Sequence, residues 1–243
     1  MVKDMMQTPL KATCLAAALL SGAASLAEAQ NAMPPKGCEA FLTMHTRNCA
    51  VSIFWRCEAQ PGLLFEGSHD DDGPVSLHTY DDEFQWIDAY YYWTDSREKL
   101  LNPGPDPISM TELLETGVDT YNFSMISEGD GDTGKLFTTG RDEALGETVV
   151  IDGVELDLFS TNSVTKDADG NTVFAAEGVQ YVLKSERLFM LGKESYFDGQ
   201  ERWKEDNTPV EFMFPGEKGF GKTEPRHGCN ALQAGLSLPM QRQ

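Results

Sequence analysis

The residues best suited to chemistry lie in the segment SHDDDGPVSLHTYDDEF, residues 68 to 84. His69 and His78 flank a run of aspartates, and Asp81 and Asp82 follow. Imidazole and carboxylate groups together can bind Zn²⁺ or another divalent cation, which could activate water in a hydrolase. The spacing matches no defined metal motif, and aspartates are also common in turns. The sequence therefore favours an exposed acidic loop and predicts no metal site; if a metal binds, these four residues are the candidates.

The segment FQWIDAYYYW, residues 84 to 93, places an acidic residue among aromatic ones. Alternate side chains of a strand share a face, so Asp88 is expected among Phe84, Trp86, Tyr90 and Tyr92. Asp88 could orient a ligand in an apolar pocket, or its carboxylate could bond a tyrosine hydroxyl or lie at a wet barrel mouth. The aromatic side chains could bind a stacking ligand or form ordinary core. The first interpretation makes these five residues a ligand-binding site.

Defined catalytic motifs are absent from the sequence. It contains no Gly-x-Ser-x-Gly elbow, His-Glu-x-x-His motif or phosphate loop. The segment DADGN, residues 167 to 171, begins like a calcium loop, but Thr172 and Gly178 stand where the EF-type pattern requires glycine and glutamate. A plain Asp-Gly hairpin explains the same residues. No catalytic residue and no cofactor are predicted.

Four of the five cysteines follow residue 29, and an even number in an exported chain indicates two disulfides. Two strand-like segments flank Arg47 and Asn48, and a two-residue turn there would place Cys38 opposite Cys57, within disulfide reach. One extended strand would hold Cys49 about 26 Å from Cys57. The predicted pairs are Cys38–Cys57 and Cys49–Cys229.

The beginning of the chain has the features of a signal peptide in the expected order. A weakly basic start precedes the apolar run ATCLAAALLSGAASL, and Ala27-Glu28-Ala29 follows with small residues at the two positions that signal peptidase reads. We predict a signal peptide over residues 1–29, cleavage before Gln30, and a periplasmic or secreted mature protein. Residues 30–243 are predicted to form a single β domain with loose ends at about 30–37 and 231–243.

The chain is strongly acidic, with a formal net charge of −20. Removing the leader leaves that charge unchanged, because residues 1–29 contain two lysines and two acidic residues. Nucleic acids and anionic lipids would be repelled, whereas cations and basic partners would be favoured. No later apolar run reaches the roughly 18 residues of a membrane helix. The sequence therefore predicts no nucleic-acid partner and no membrane span, and it carries no signal for an oligomeric state.

Turn signals predict a meander of antiparallel strands. Asp-Gly, a strong hairpin signal, occurs at residues 152–153, 169–170 and 198–199. A two-residue turn at the middle site would pair Leu158 with Tyr181 and Val164 with Ala175 on one apolar face, and Glu155 with Lys184 on the other. A capping box at Ser109 to Glu112, with Gly117 at the C-terminal end, predicts one short helix.

Strands that are apolar on both faces, such as residues 84–93, need cover on both sides. We therefore predict an all-β, mainly antiparallel fold: a single barrel-like or strongly curved meander sheet with one short helix and two disulfides. The expected function is non-catalytic binding of an apolar or aromatic-stacking small ligand in a concave face. Two alternatives remain: a metal-assisted hydrolase built on the histidine and aspartate loop, and a structural or interaction protein of the cell envelope that binds no ligand.

Overall fold

A computed structural model describes residues 34–129 and 132–229. The predicted signal peptide, its cleavage site and the predicted loose end at 231–243 lie outside the described residues. The elements are β1 (Cys38–Thr46), β2 (Val51–Cys57), β3 (Leu63–Asp70), β4 (Gly73–Asp81), β5 (Trp86–Tyr91), β6 (Ser96–Asp106), α1 (Met110–Thr116), β7 (Val118–Gly129), β8 (Asp132–Ile151), β9 (Val154–Lys166), β10 (Thr172–Leu183), β11 (Leu188–Phe197), β12 (Arg202–Asp206) and β13 (Pro209–Met213). No helix in the described ranges is long and apolar enough to cross a bilayer.

All thirteen strands form one antiparallel sheet, which confirms the predicted fold class. Strands β1 to β12 pair with one another in sequence order, with α1 inserted between β6 and β7, and β13 pairs with β1 at the far edge. Only Asn207 and Thr208 join β12 at one edge to β13 at the other, so the sheet must curl until its two edges lie close together. The link is hydrogen-bonded beside each edge: Asn207 donates its backbone N–H to the carbonyl of Gly192 in β11 (2.8 Å), and Arg47, which follows β1, donates its backbone N–H to the carbonyl of Thr208 (3.0 Å). The ladder does not close into a barrel, because β12 and β13 are not hydrogen-bonded neighbours.

The enclosed side of the curved sheet, here called the inner face, holds the main hydrophobic core. Its buried side chains come from both ends of the strand order and from α1, which is possible only if the sheet wraps around them. A second, smaller cluster adjoins it around Phe123. The buried members of the main core are Leu42, Met44, Phe54, Leu64, Tyr80, Phe84, Met110, Leu113, Leu156, Phe159, Val182, Leu183, Leu188, Met190 and Phe212.

Helix α1 begins and ends at the predicted residues. The Ser109 hydroxyl accepts from the backbone N–H of Glu112 (3.1 Å), and Gly117 ends the helix at φ = 82°, a left-handed conformation that glycine adopts without steric cost. The reciprocal half of the predicted capping box is wrong. The Ser109 N–H donates to the carboxylate of Asp119 (3.1 Å) and not to Glu112, so the helix is tied to β7.

Both predicted disulfides are present, but the predicted turn between β1 and β2 is wrong. Thr46 donates its N–H to Ala50, so the loop has three residues, and Cys49 takes φ = 62° at its third position. This shifts the register by one residue, and a bulge at Phe41 shifts it back. Cys38 therefore still stands opposite Cys57. The correct disulfide follows from two irregularities that cancel.

The β9–β10 hairpin repeats this compensation. Its loop contains three residues and ends at Gly170 with φ = 87°, and a register shift beside Val173 restores the predicted partners, including Leu158 with Tyr181. Lys184 forms its ion pair with Asp157 (2.7 Å), so the predicted pairing with Glu155 is corrected.

The predicted apolar face of β9 is buried only at Leu156. Farther along the strand, Leu158 and Val164 are half-buried, and the alternate side chains Phe159, Thr161, Ser163 and Thr165 are the buried ones. The change of face coincides with a bulge in β8 between Ala144 and Thr148. The inner face consequently becomes polar along the second half of β9.

Candidate functional site

A bulge in β5 divides the predicted aromatic face between the two sides of the sheet. Tyr80 of β4 pairs with Trp86, whereas the preceding residue, Thr79, pairs with Asp88, so Ile87 is the extra residue. Because a single extra residue inverts the alternation of side chains, Trp86 joins the inner face and Asp88 points to the outer face. The structure does not bring all five predicted ligand-binding residues together.

The first two aromatic residues of the predicted set lie in the core. Phe84 precedes β5, has φ = 66°, and stacks on Tyr80 with ring centroids 4.2 Å apart. Trp86 is half-buried and makes an edge-to-face contact with Phe123 at 5.7 Å. Both side chains therefore contribute to packing on the inner face.

The remaining three residues of the predicted set lie on the outer face of the sheet. Asp88 and Tyr90 line a concavity on the outer face of β2 to β6, here called the outer groove, which has a volume of about 500 Å³. Tyr92 stands beside it, exposed, with its ring edge-to-face against Tyr90 at 4.9 Å.

The outer groove is built from two rows of paired residues that run across the strands. One row places Trp55, Phe65, Thr79 and Asp88 side by side from β2 to β5. The adjacent row places Leu77 of β4, Tyr90 of β5 and Arg97 of β6 in line. The Cys38–Cys57 disulfide closes one end of the groove. Apolar side chains thus form the wall near β2, and charged groups lie toward β6.

Asp88 and Arg97 form a two-point ion pair within the groove. The guanidinium donates through Nε to Oδ1 (2.8 Å) and through Nη2 to Oδ2 (2.6 Å) of the carboxylate. This bidentate geometry holds both side chains in fixed orientations. The Asp88 carboxylate therefore bonds an arginine and not the tyrosine hydroxyl considered from the sequence. The Tyr90 hydroxyl donates instead to Asp95, and that hydrogen bond is the main cause that raises the pKa of Tyr90.

Two further features of the groove were not found from the sequence. Trp55 stacks on Phe65 with centroids 5.9 Å apart, and its indole N–H is buried with no hydrogen-bond partner among the described residues. A buried donor without a partner is uncommon in folded proteins. Arg97 was missed because its relevance depends on the β5–β6 register, and Trp55 was missed because its contact with Phe65 depends on the β2–β3 register.

The four candidate metal ligands are not assembled. His78 lies on the inner face, where its Nδ1 is 3.0 Å from the Tyr80 hydroxyl, while His69 is paired with Val51 on the outer face. The Asp81 carboxylate accepts the backbone N–H groups of Glu83 (3.0 Å) and Gln85 (2.9 Å) and so shapes a turn. Asp82 contributes a backbone carbonyl to Arg187 (3.0 Å). In residues 34–129 and 132–229, no three ligating side chains are placed to hold a metal ion.

An inner carboxyl pair, Asp119 and Asp142, is the most unusual electrostatic feature of the described chain. The two residues stand directly opposite each other on β7 and β8 and are 1% and 5% exposed. Each has one carboxylate oxygen, Oδ1, without a hydrogen-bond partner among the described residues. Burial raises the pKa of Asp119 to about 7 and that of Asp142 to about 6, and their mutual repulsion adds to the effect on Asp119.

The sequence carried a signal for half of this pair. Asp119 is in phase with Tyr121, Phe123 and Met125, the buried residues of β7, so alternation alone would have placed an acid on an apolar face. Asp142 has no such pattern around it, because its strand contributes small and polar residues such as Thr138 and Gly140 to the same face.

Comparison with known proteins gives no family for this chain: no protein-family model, no curated protein and no solved structure matches it.

Proposed function

We propose that the chain is an exported, non-catalytic binding protein that holds a small, planar, largely apolar ligand in the outer groove. The observation that carries this proposal is the groove itself. Its volume of about 500 Å³ lies within the range of about 300–1,000 Å³ typical of small-molecule sites. Apolar walls with a few fixed polar groups are the usual composition of such sites.

The polar groups suggest what the ligand carries. Nε and Nη2 of Arg97 bind Asp88, which leaves Nη1 as a further donor held at a fixed position. A ligand with fused or linked rings and one carbonyl, carboxylate or sulfonate group would bury the rings against Phe65 and Leu77 and offer an acceptor to this guanidinium donor.

Export belongs to the same proposal. The two disulfides are compatible with an oxidising compartment, where such bonds persist. The predicted leader supplies the route, with cleavage expected before Gln30. The acidic surface keeps such a protein soluble at high concentration.

The proposal is tested by titrating the mature protein with 8-anilinonaphthalene-1-sulfonate, a planar probe with one sulfonate, while following its fluorescence. Leu77→Arg should fill the groove and weaken binding at least tenfold. Leu191→Arg is the control, because it makes the same substitution at a strand leucine that lies outside the groove; Leu191 is exposed, whereas Leu77 is half-buried. Near-ultraviolet circular dichroism of each variant checks that the probe reports on folded protein.

Two results would contradict the proposal: no binding to the intact protein, or equal binding by the Leu77→Arg variant. Trp86→Ala separates the two faces of the sheet. Since Trp86 packs on the inner face, its truncation should lower stability but leave the probe affinity of the folded fraction within about twofold. If intact protein binds no probe, an interaction protein without a small ligand becomes the better interpretation.

A further inference from the structure

The segment that follows β13, residues 214–229, crosses the outer face of β1 and is here called the strap. The backbone N–H of Gly221 donates to the Thr43 hydroxyl (2.9 Å), and the Cys49–Cys229 disulfide fixes the far end. Next to that disulfide, Gly228 approaches the backbone of Arg47 so closely that a Cβ would overlap its carbonyl oxygen. The strap is therefore pressed against the sheet and covalently tethered to it.

A histidine lies under the strap. His45 of β1 is fully buried, and neither of its ring nitrogens has a hydrogen-bond partner among the described residues. Its ring meets that of His227, a strap residue, edge to face with centroids 5.9 Å apart. A buried imidazole with two unsatisfied nitrogens is tolerated far better neutral than charged.

The carboxylate of Glu211 in β13 lies among the basic side chains of this region. Glu211 is paired with His45 in the ladder and forms an ion pair with Arg226 (3.3 Å). A carboxylate oxygen of Glu211 also lies 2.8 Å from Nε2 of His227. At neutral pH Arg226 is charged, whereas His45, whose pKa is lowered chiefly by burial, is neutral. A proton on His45 would therefore place a second positive charge beside that of Arg226, next to the same carboxylate.

The other titratable groups near this position act on a second histidine. His69 of β3 stands beyond Val51 in the same ladder row as His45, and Asp70 and the strap residue Glu224 favour its charged form. Desolvation outweighs them, so the pKa of His69 is lowered. The pKa of His45 is lowered as well, first by burial and then by Arg226 and His227, against the attraction of Glu211.

We propose that the strap is an acid-released latch: protonation of His45 lifts residues 214–228 from the outer face of β1, while the Cys49–Cys229 disulfide keeps the released segment attached. The direction follows from linkage. We call the protein with the strap in place the covered state and the protein with the strap lifted the open state. His45 binds protons more weakly in the covered state than in the open state. The covered state is therefore favoured above about pH 6.5 and becomes less populated as the pH falls below that value. Each tenfold difference in the proton affinity of His45 between the covered and open states changes the ratio of open to covered protein by up to about tenfold.

The latch is tested by hydrogen–deuterium exchange of the whole mature protein at pH 7.5 and 5.0, with rates expressed as protection relative to the unfolded chain. Peptides from 214–228 should lose at least about tenfold of their protection at pH 5.0. His45→Phe, which keeps a ring but removes the base, should abolish most of that loss. His78→Phe is the matched control, since His78 lies on the inner face, away from the strap.

The proposal is overturned if strap protection is the same at both pH values, or if its pH dependence persists in His45→Phe. Should that variant fail to fold, nuclear magnetic resonance titration of the wild-type protein decides the question. The His45 ring signals should titrate over the same pH range in which the strap loses protection. Strap opening with no change in the His45 signals would contradict the latch.

Discussion

Replacing Asp119 by asparagine should stabilise the protein in mild alkali and not in acid. The folded state holds the pKa of Asp119 at about 7, against 3.8 for an ordinary aspartate. Since the folded pKa is raised, the stabilising contribution of this group is complete below about pH 4 and disappears as the pH rises through 7. Above pH 7 the protein carries the full cost of a buried negative charge.

The size of the expected stabilisation follows from the rise in the pKa of Asp119. At about 1.4 kcal/mol for each tenfold change in proton affinity, the buried charge costs up to about 4 kcal/mol at pH 8. Asparagine keeps a carbonyl oxygen for the N–H of Ser109, but its amide group adds donors that need partners, at a cost of about 1–3 kcal/mol. The expected net gain at pH 8 is therefore about 1–3 kcal/mol.

Urea denaturation at pH 8 and pH 4.5 measures this directly. Asp119→Asn should unfold at higher urea than the wild type at pH 8, and at equal or lower urea at pH 4.5, so the two stability curves should cross. Glu115→Gln is the matched control, because it removes one negative charge from an exposed position of α1 and should change stability by less than about 0.5 kcal/mol at either pH. An equal loss of stability at both pH values for Asp119→Asn would refute the reasoning.

Three further predictions concern the Cys49–Cys229 disulfide, the inner face and export. Replacing Cys49 and Cys229 together by serine should cost about 2–5 kcal/mol in guanidinium denaturation, and a change below 0.5 kcal/mol would show that the strap does not constrain the unfolded chain. Gly140→Ala should cost about 1–3 kcal/mol, because the new Cβ would overlap the Tyr121 ring; thermal denaturation checks this, and an unchanged midpoint would contradict the close approach. N-terminal sequencing of protein from its native host should find a start within two residues of Gln30, and a retained first methionine would contradict the leader.

The sequence predicted what depends on local chemistry and failed where the sheet is irregular. The helix boundaries at Ser109 and Gly117, the presence of two disulfides and the meander follow from capping residues, the even number of cysteines and turn signals. The Cys38–Cys57 pairing is correct although the two-residue turn that predicted it is wrong. Bulges depend on how neighbouring strands twist against one another, and no residue pattern predicted the bulges at Phe41 and Ile87. The bulge at Phe41 left the predicted Cys38–Cys57 pairing correct, because the three-residue loop between β1 and β2 had already shifted the register.

The bulge at Ile87 had a larger effect on the candidate site. It separated Trp86 from Asp88 and moved half of the predicted aromatic face into the core. The partners that define the outer groove, above all Arg97 and Trp55, come from strands whose alignment no short segment of sequence determines. The inner carboxyl pair was hidden for the same reason, since Asp119 and Asp142 meet only through the pairing of β7 with β8.

The two-residue link between β12 and β13 has a consequence for the order in which the chain matures. Because β13 completes the far edge by pairing with β1, the first of the described strands stays unpaired on its outer side until the last of the described strands has been synthesised. The Cys38–Cys57 bond, which spans 19 residues, can be oxidised while the chain is still emerging, whereas Cys49 has no partner until residue 229 follows. Contacts between such distant residues form slowly. Oxidation should therefore proceed through a one-disulfide species with an open sheet edge, and that species is the one most exposed to aggregation and most in need of protection by a chaperone.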